Sequence, residues 1–408
     1  MNREPAGNIA EFTFCANPKY ELVLLDQLPA EQREVLKELQ NDPNFYGILR
    51  PREKSGLGVK SVSRDTALLF LTLQRPGKLP GYMRATLGEQ CSREAARLVL
   101  DGVLAVERNG KFVSGPDAAV VVTDEPAADS DDAFVPEGFL ELLSIEALRY
   151  GQSLRLDDAM ALSGRLYGFN RLPLSPYWKR TLRDIDAVED FLGMRTAMTR
   201  GMLEGEWLRV QPPAGNDGWL AWQSRRALAA SRSGDGGVQC KLYISPRPEC
   251  LPEFFPAILA ALTQTNVKHF KVGKDAAGLL RPDKLVAYFC SHEDLMETAQ
   301  RIKEALTRCM AHGVPFTAGL SEDGLLSWGT DPPAQGQVLP WLGIESWRLW
   351  VTNRLAVAMI AGASADTREI EPWQFALRRL QFEGVDTRSW IPAVTSWKKA
   401  EVPEGQLR

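Results

Sequence analysis

Histidine is scarce in this chain. Only three occur in 408 residues (His269, His292 and His312), and their spacing fits no metal-ligand pattern, which argues against a zinc centre. The six cysteines, at 15, 91, 240, 250, 290 and 309, form no C-x-x-C pair, so neither a dithiol motif nor a disulfide framework is expected. Ordinary buried thiols in a reducing cytoplasm fit that scatter. No run of 18 apolar residues is present, and the opening MNREPAGNIAEF lacks a basic segment followed by an apolar one. Neither a membrane span nor a secretory signal is therefore expected. A Walker-type phosphate loop, a G-x-G-x-x-G turn and a G-x-S-x-G elbow are also missing, which removes ATP, dinucleotide and serine-hydrolase readings. A net charge of −4 gives no general excess for nucleic acid.

What is present reads as a soluble α+β chain, 44% hydrophobic and 25% charged, too long for one core. Residues 1–20 read as a weakly ordered tail. Residues 21–120 read as a docking or peptide-binding domain resembling a winged helix. SRDTALLFLTLQ, PGKLPGYMRATLG and SREAARLVLDG give three helices, and VLAVERNGKFVSG gives a hairpin turning on Asn109-Gly110. Residues 121–136 carry five acids and two prolines and read as an acidic linker. Residues 137–232 form a helical segment. From 233 to 408, strands KLYIS, HFKVG and KLVAYF alternate with helices and a hairpin-like PFTAGLSEDGLLSWG, an α+β domain.

The chemistry gathers in the last of these. Between Lys241 and Tyr288 stand seven cations, at 241, 247, 268, 271, 274, 281 and 284. Lys241 and Tyr243, two apart on a strand, share one face, and so do His269 and Lys271. A locally basic, concave site for an anion follows, best matched by a phosphorylated group.

KLYISP, KHFKVGKDAAGLLRPDKLVAYF and GVPFT…GLLSWGTDPP resemble the HopA-like type III effector family, and RLYGFNRLPLSPYW resembles it more weakly. Bacterial relatives of that family assist dehydration of ribosomally made peptides in lanthipeptide- and thioamitide-type (RiPP) pathways. A more distant resemblance is to phosphothreonine lyases, which eliminate phosphate from phosphoserine or phosphothreonine. Those place Lys-x-His on one strand, a catalytic Lys on a later one, then Arg and Tyr. Here the series is Lys241-x-Tyr243, Lys271, Arg281, Tyr288, with tyrosine at the histidine position.

The resemblance implies a lyase producing dehydroalanine or dehydrobutyrine in a phosphorylated precursor peptide, with no cofactor and a separate kinase. Lys271 would be the base, its pKa lowered by its neighbours, and Lys241 would stabilise the developing oxyanion. Arg281, Lys284 and Lys274 would hold phosphate. Tyr243 or His269 would protonate the leaving group, and Tyr288 would orient one of these groups. The alternative is a non-catalytic binding protein for a phosphorylated partner. Each residue also has a plain structural role open to it: solvated strand lysines, turn-bracing Arg281, packing tyrosines. Trp219, Trp222 and Trp328 read as packing groups or a groove wall, and Asp331-Pro332-Pro333 as the end of a hairpin. In the N-terminal segment, Arg93 and Arg97 would serve a nucleic-acid role, whereas a peptide strand added beside the wing would serve docking, the favoured reading.

Overall fold

The computed structural model describes residues 9–37, 39, 42–52, 58–123, 136–211, 218–230, 240–332, 345–366 and 369–392. The N-terminal part opens with strands β1 (Phe14–Ala16) and β2 (Tyr20–Val23), helix α1 (Ala30–Val35), and strands β3 (Phe45–Pro51) and β4 (Lys60–Ser63). Helices α2 (Arg64–Thr72), α3 (Gly81–Leu87) and α4 (Cys91–Leu100) follow, then β5 (Leu104–Arg108), β6 (Lys111–Val113) and α5 (Ala119–Thr123). The three helices and the hairpin are where the pattern puts them. Asn109 and Gly110 both take positive φ, at 51° and 75°, as a tight hairpin turn requires. Two features depart from expectation. The stretch read as a tail supplies β1, whose Phe14 is fully buried and pairs with Val106 of β5. Strands β2, β3 and β4 also make a separate antiparallel sheet, which a plain winged helix lacks. Most of the acidic linker, 124–135, lies outside the described residues.

The middle is helical as expected: α6 (Phe139–Ser153), α7 (Ala159–Tyr167), α8 (Pro176–Thr181), α9 (Ile185–Phe191) and α10 (Ala197–Glu206). Two strands then appear within the segment read as helical, β7 (Trp207–Val210) and β8 (Trp219–Ser224), before α11 (Arg225–Ala230). The last part comprises β9 (Cys240–Ile244), α12 (Leu251–Gln264), β10 (His269–Gly273), α13 (Ala276–Leu279), β11 (Leu285–Phe289), α14 (His292–Ala305), β12 (Ala318–Gly319) and β13 (Leu326–Thr330). It ends in α15 (Trp347–Ala363), α16 (Pro372–Phe382) and a small ribbon of β14 (Val385–Asp386) and β15 (Ile391–Pro392).

Seven strands form one antiparallel sheet in the order β12-β13-β9-β11-β10-β8-β7. Alternation along each strand sends Leu220, Trp222, Leu242, Ile244, Phe270, Val272, Leu285, Ala287 and Phe289 into one core with α12 and α14. Within it Phe270 stacks on Trp222 at 5.0 Å and meets Trp207 edge-on at 4.7 Å, so the two unforeseen strands are held by aromatic packing. A second core joins α2–α5 to α6, α7, α15 and α16. Hydrophobic clustering thus groups the last helices with the N-terminal segment, across the boundaries read from composition. No helix among the described residues is long and apolar enough to cross a membrane.

Candidate functional site

Strand register lays out the other face of the large sheet in rows. Cross-strand pairing aligns Gln223, His269, Tyr288, Lys241 and Gly329 in one row, and Ala221, Lys271, Val286, Tyr243 and Ser327 in the next. Trp219 lies opposite Gly273 at the end of a third row. The roof over this face is built from far along the chain. Trp347 and Arg348 come from the start of α15, Tyr167 from the end of α7, and Val314 and Phe316 from the connection before β12. Gly329 is needed here, because a Cβ on it would come within 2.6 Å of the Trp347 ring.

Three of the expected cations converge on this covered face. Lys271 Nζ lies 4.4 Å from the Trp219 ring centre and 5.6 Å from that of Tyr288. Lys241 Nζ lies 5.2 Å from the same Tyr288 ring. The Arg281 guanidinium sits 5.0 Å from the Trp219 ring centre. Trp219 is therefore a wall of the site, whereas Trp222 belongs to the opposite core.

The three differ in how they are held. Lys241 donates to Asp331 Oδ1 at 2.6 Å, and that oxygen also accepts the backbone N–H of Trp347. Asp331 thus does more than close a hairpin; it ties Lys241 to the start of α15. Arg281 grips Asp283 with two bonds of 2.8 Å and donates to the Tyr167 hydroxyl at 3.0 Å. Arg348 completes the node, with Nη1 2.9 Å from Asp283 Oδ2 and Nη2 donating to the Tyr167 carbonyl. Lys271 has no hydrogen bond or ion pair among the described residues. Tyr243 and Tyr288 likewise have hydroxyls without a partner among the described residues.

Burial and charge tune these groups. Burial, then the charge of Lys241 and to a lesser degree Arg281, bring Lys271 down to about 8, against the pull of Asp283 and Asp331. Burial followed by Asp331 pushes the Tyr288 and Tyr243 phenols up, so both stay protonated. Burial opposes ionisation of Asp283, but Arg348 and Arg281 outweigh it and hold the carboxyl far below its usual range. His269 stacks on Tyr288 at 3.9 Å, and burial plus Lys268, Lys271 and Lys241 bring it down to about 4. At pH 7 the imidazolium form is thereby disfavoured, and His269 enters the site as a neutral ring with a single N–H.

Lys284 must be corrected more firmly. Register puts it on the same face as Tyr288, but it is fully buried. Its ammonium donates to the carbonyls of Pro246 at 2.8 Å and Pro282 at 3.4 Å. His312 Nε2 faces the Asn170 carbonyl at 2.6 Å and must carry the proton there, so Nδ1 accepts from Lys284 at 2.9 Å. All three donors are used internally, and Lys284 braces the loops beside the site. Lys274 follows β10 and hydrogen-bonds Gly218 through its backbone; among the described residues no contact joins its side chain to the cluster. Arg93 and Arg97 are engaged too, by the carbonyls of Gln381 and Phe382 and by Glu94 and Asp101 respectively. No metal-binding group of three or more His, Cys, Asp or Glu occurs among the described residues.

The two buried neutral histidines set one prediction. His269 and His312 are brought down to about 4 and about 3, while the unfolded chain titrates near 6.5. Between those values the unfolded state binds more protons, so stability falls as pH drops from 6.5 toward 4. Urea midpoints across that range should show the fall, and His269→Gln should flatten part of it.

No family model matches this sequence, and no curated protein matches it. Among solved structures, an effector protein from Pseudomonas syringae pv. tomato strain DC3000 is 13% identical with a TM-score of 0.41, the match covering 62% of this chain and 97% of that one. An effector from Pseudomonas syringae pv. syringae strain 61 is 10% identical with a TM-score of 0.38, covering 61% and 97%. A phosphothreonine lyase is 13% identical with a TM-score of 0.24, covering 45% and 85%. The chain is thus similar, at low identity and over part of its length, to two effector proteins and a phosphothreonine lyase.

Proposed function

We propose that the roofed face of the sheet is the active site of a phosphoserine/phosphothreonine lyase acting on a peptide. One observation carries this reading: a desolvated Lys271 stands beside Lys241, Arg281 and two phenols on one covered face, and neither it nor the phenols have a hydrogen-bond partner among the described residues. With Lys271 neutral, Lys241, Arg281 and Arg348 against Asp283 and Asp331 leave one positive charge, and a second when Lys271 takes up a proton, which suits a phosphate anion.

In the proposed reaction the neutral Lys271 amine takes the Cα proton of the phosphorylated residue. The Cα–H electrons form the Cα=Cβ bond, the Cβ–O bond breaks, and its electrons leave with the phosphate. Lys241 offsets the charge that develops on the substrate carbonyl, and Arg281 faces the phosphate. Tyr243, kept protonated by burial, supplies the proton the leaving phosphate takes up. The products are a dehydroalanine or dehydrobutyrine residue and inorganic phosphate. A ribosomally made precursor fits as substrate, with a separate kinase installing the phosphate, since no kinase motif lies in this chain.

Incubation with phosphoserine and phosphothreonine peptides, followed by mass spectrometry, tests this directly. Loss of phosphoric acid from the peptide is the expected result. A phosphopeptide that binds and stays unchanged at every pH would instead establish the alternative, a non-catalytic phosphopeptide-binding protein, which the tyrosine at position 243 favours. The pH profile is a further prediction. With Lys271 near 8, about a tenth is neutral at pH 7, so kcat/KM should rise roughly tenfold per pH unit below 8 and level off above it.

A further inference from the structure

A cavity of about 410 Å³ lies in the N-terminal part of the chain and shares no lining residue with the sheet site. One wall is the run Val59–Ser63, which contains the whole of β4, and the other is Arg97, Leu98 and Asp101 with Val103. Five consecutive residues line it. A strand presents only alternate residues to a cavity over its face, so this cavity runs along the edge of β4. That edge is open: β4 pairs with β3 on one side and with no other strand among the described residues. Such an edge offers backbone donors and acceptors to an added strand.

The walls indicate what kind of strand. Val62 and Leu98 are buried and Val59 is exposed, giving an apolar strip. Arg97 is held by Glu94 and Asp101, and Asp101 also takes two bonds from Arg379 at 2.6 and 2.9 Å. Lys60 is the one lining charge without a hydrogen bond or ion pair among the described residues. Burial works against its charge and Asp101, whose carboxylate is bonded to Arg97 and Arg379, offsets that only in part, leaving a cost that an incoming carboxylate would reduce.

We infer that this cleft captures an extended peptide segment as a fourth strand on β4, with an acidic side chain of the peptide against Lys60 and an apolar one against Leu98. At about 3.4 Å per residue, the four residues of β4 match about four residues of the peptide. The site is distinct from the edge of β6, beside the wing, where the sequence pattern places peptide addition. It also holds whether or not the large sheet eliminates phosphate.

The test uses the full chain and unphosphorylated synthetic peptides. An acetylated, amidated peptide of alternating Val and Glu is compared with its Val and Lys counterpart, and with a Val and Glu peptide N-methylated at alternate residues. Hydrogen–deuterium exchange should slow at 60–63 with the first peptide and not with the N-methylated one. Lys60→Glu should weaken the Glu peptide at least about tenfold and strengthen the Lys peptide. Lys60→Gln, the milder change, should weaken the Glu peptide less and leave the Lys peptide unimproved. Lys271→Ala should leave binding unchanged, which separates failure here from failure of the lyase reading. Protection confined to β6, protection equal for the N-methylated peptide, or no protection by any peptide would overturn the inference.

Discussion

Lys271→Ala should lower the elimination rate constant by about a thousandfold or more while leaving phosphopeptide affinity within about tenfold. The first figure is the usual scale for removing a positioned general base, about 4 kcal/mol of barrier at a thousandfold. The second follows from the proposed roles: Arg281, assigned to the phosphate, and Lys241, assigned to the substrate carbonyl, both stay when Lys271 is gone. Lys271→Arg should be equally inactive, because a guanidinium keeps its proton at any accessible pH. Single-turnover mass spectrometry on a phosphothreonine peptide gives the rate, and fluorescence anisotropy on the same peptide gives the affinity. Elimination within about tenfold of the native rate would move the base elsewhere. Lys274→Ala is the matched control: the same charge is lost close by in sequence, but no contact among the described residues joins it to the cluster, and little change is expected.

Much of this arrangement could be read from strand parity. Lys241 and Tyr243 share a face because they are two apart on β9, and His269 and Lys271 do so on β10. Parity alone also misled. Lys284 lies on the same face as Tyr288, but loops carrying Pro246 and His312 close over it, and a sequence does not show which end of a strand is roofed. The acids were missed for a related reason. Asp283 is one acid within a basic run of sequence, and its worth comes from Tyr167 and Arg348, in helices far away in sequence. Asp331 read as a turn residue before two prolines, and only the arrival of α15 makes it the partner of Lys241. Strands β7 and β8 escaped because LRV and WLAWQS lack clean alternation; the packing of Trp207 and Trp222 on Phe270 decides them.

Asp283→Asn should cost about 3–5 kcal/mol of folding stability, the range for breaking a buried ion pair from one side. The carboxylate is buried and serves two guanidiniums and a phenol at once. Asparagine keeps the shape but removes the charge, so Arg348, itself almost wholly buried, faces only a neutral amide. Tyr167→Phe takes away one hydroxyl from the same node and should cost only about 1 kcal/mol. Urea denaturation at neutral pH measures both, and a shifted midpoint at unchanged slope identifies a true stability change. The pH dependence carries a sign. Folding depresses this carboxyl from its ordinary 3.8, so its contribution is complete above that value and drains away as pH falls toward the folded one. The gap between native protein and Asp283→Asn should therefore be widest above pH 4 and narrow in stronger acid. A loss under about 1 kcal/mol for Asp283→Asn would mean that Arg281 and Arg348 find solvent or other acceptors, and that Arg281, proposed to face the phosphate, is not held in place by this node.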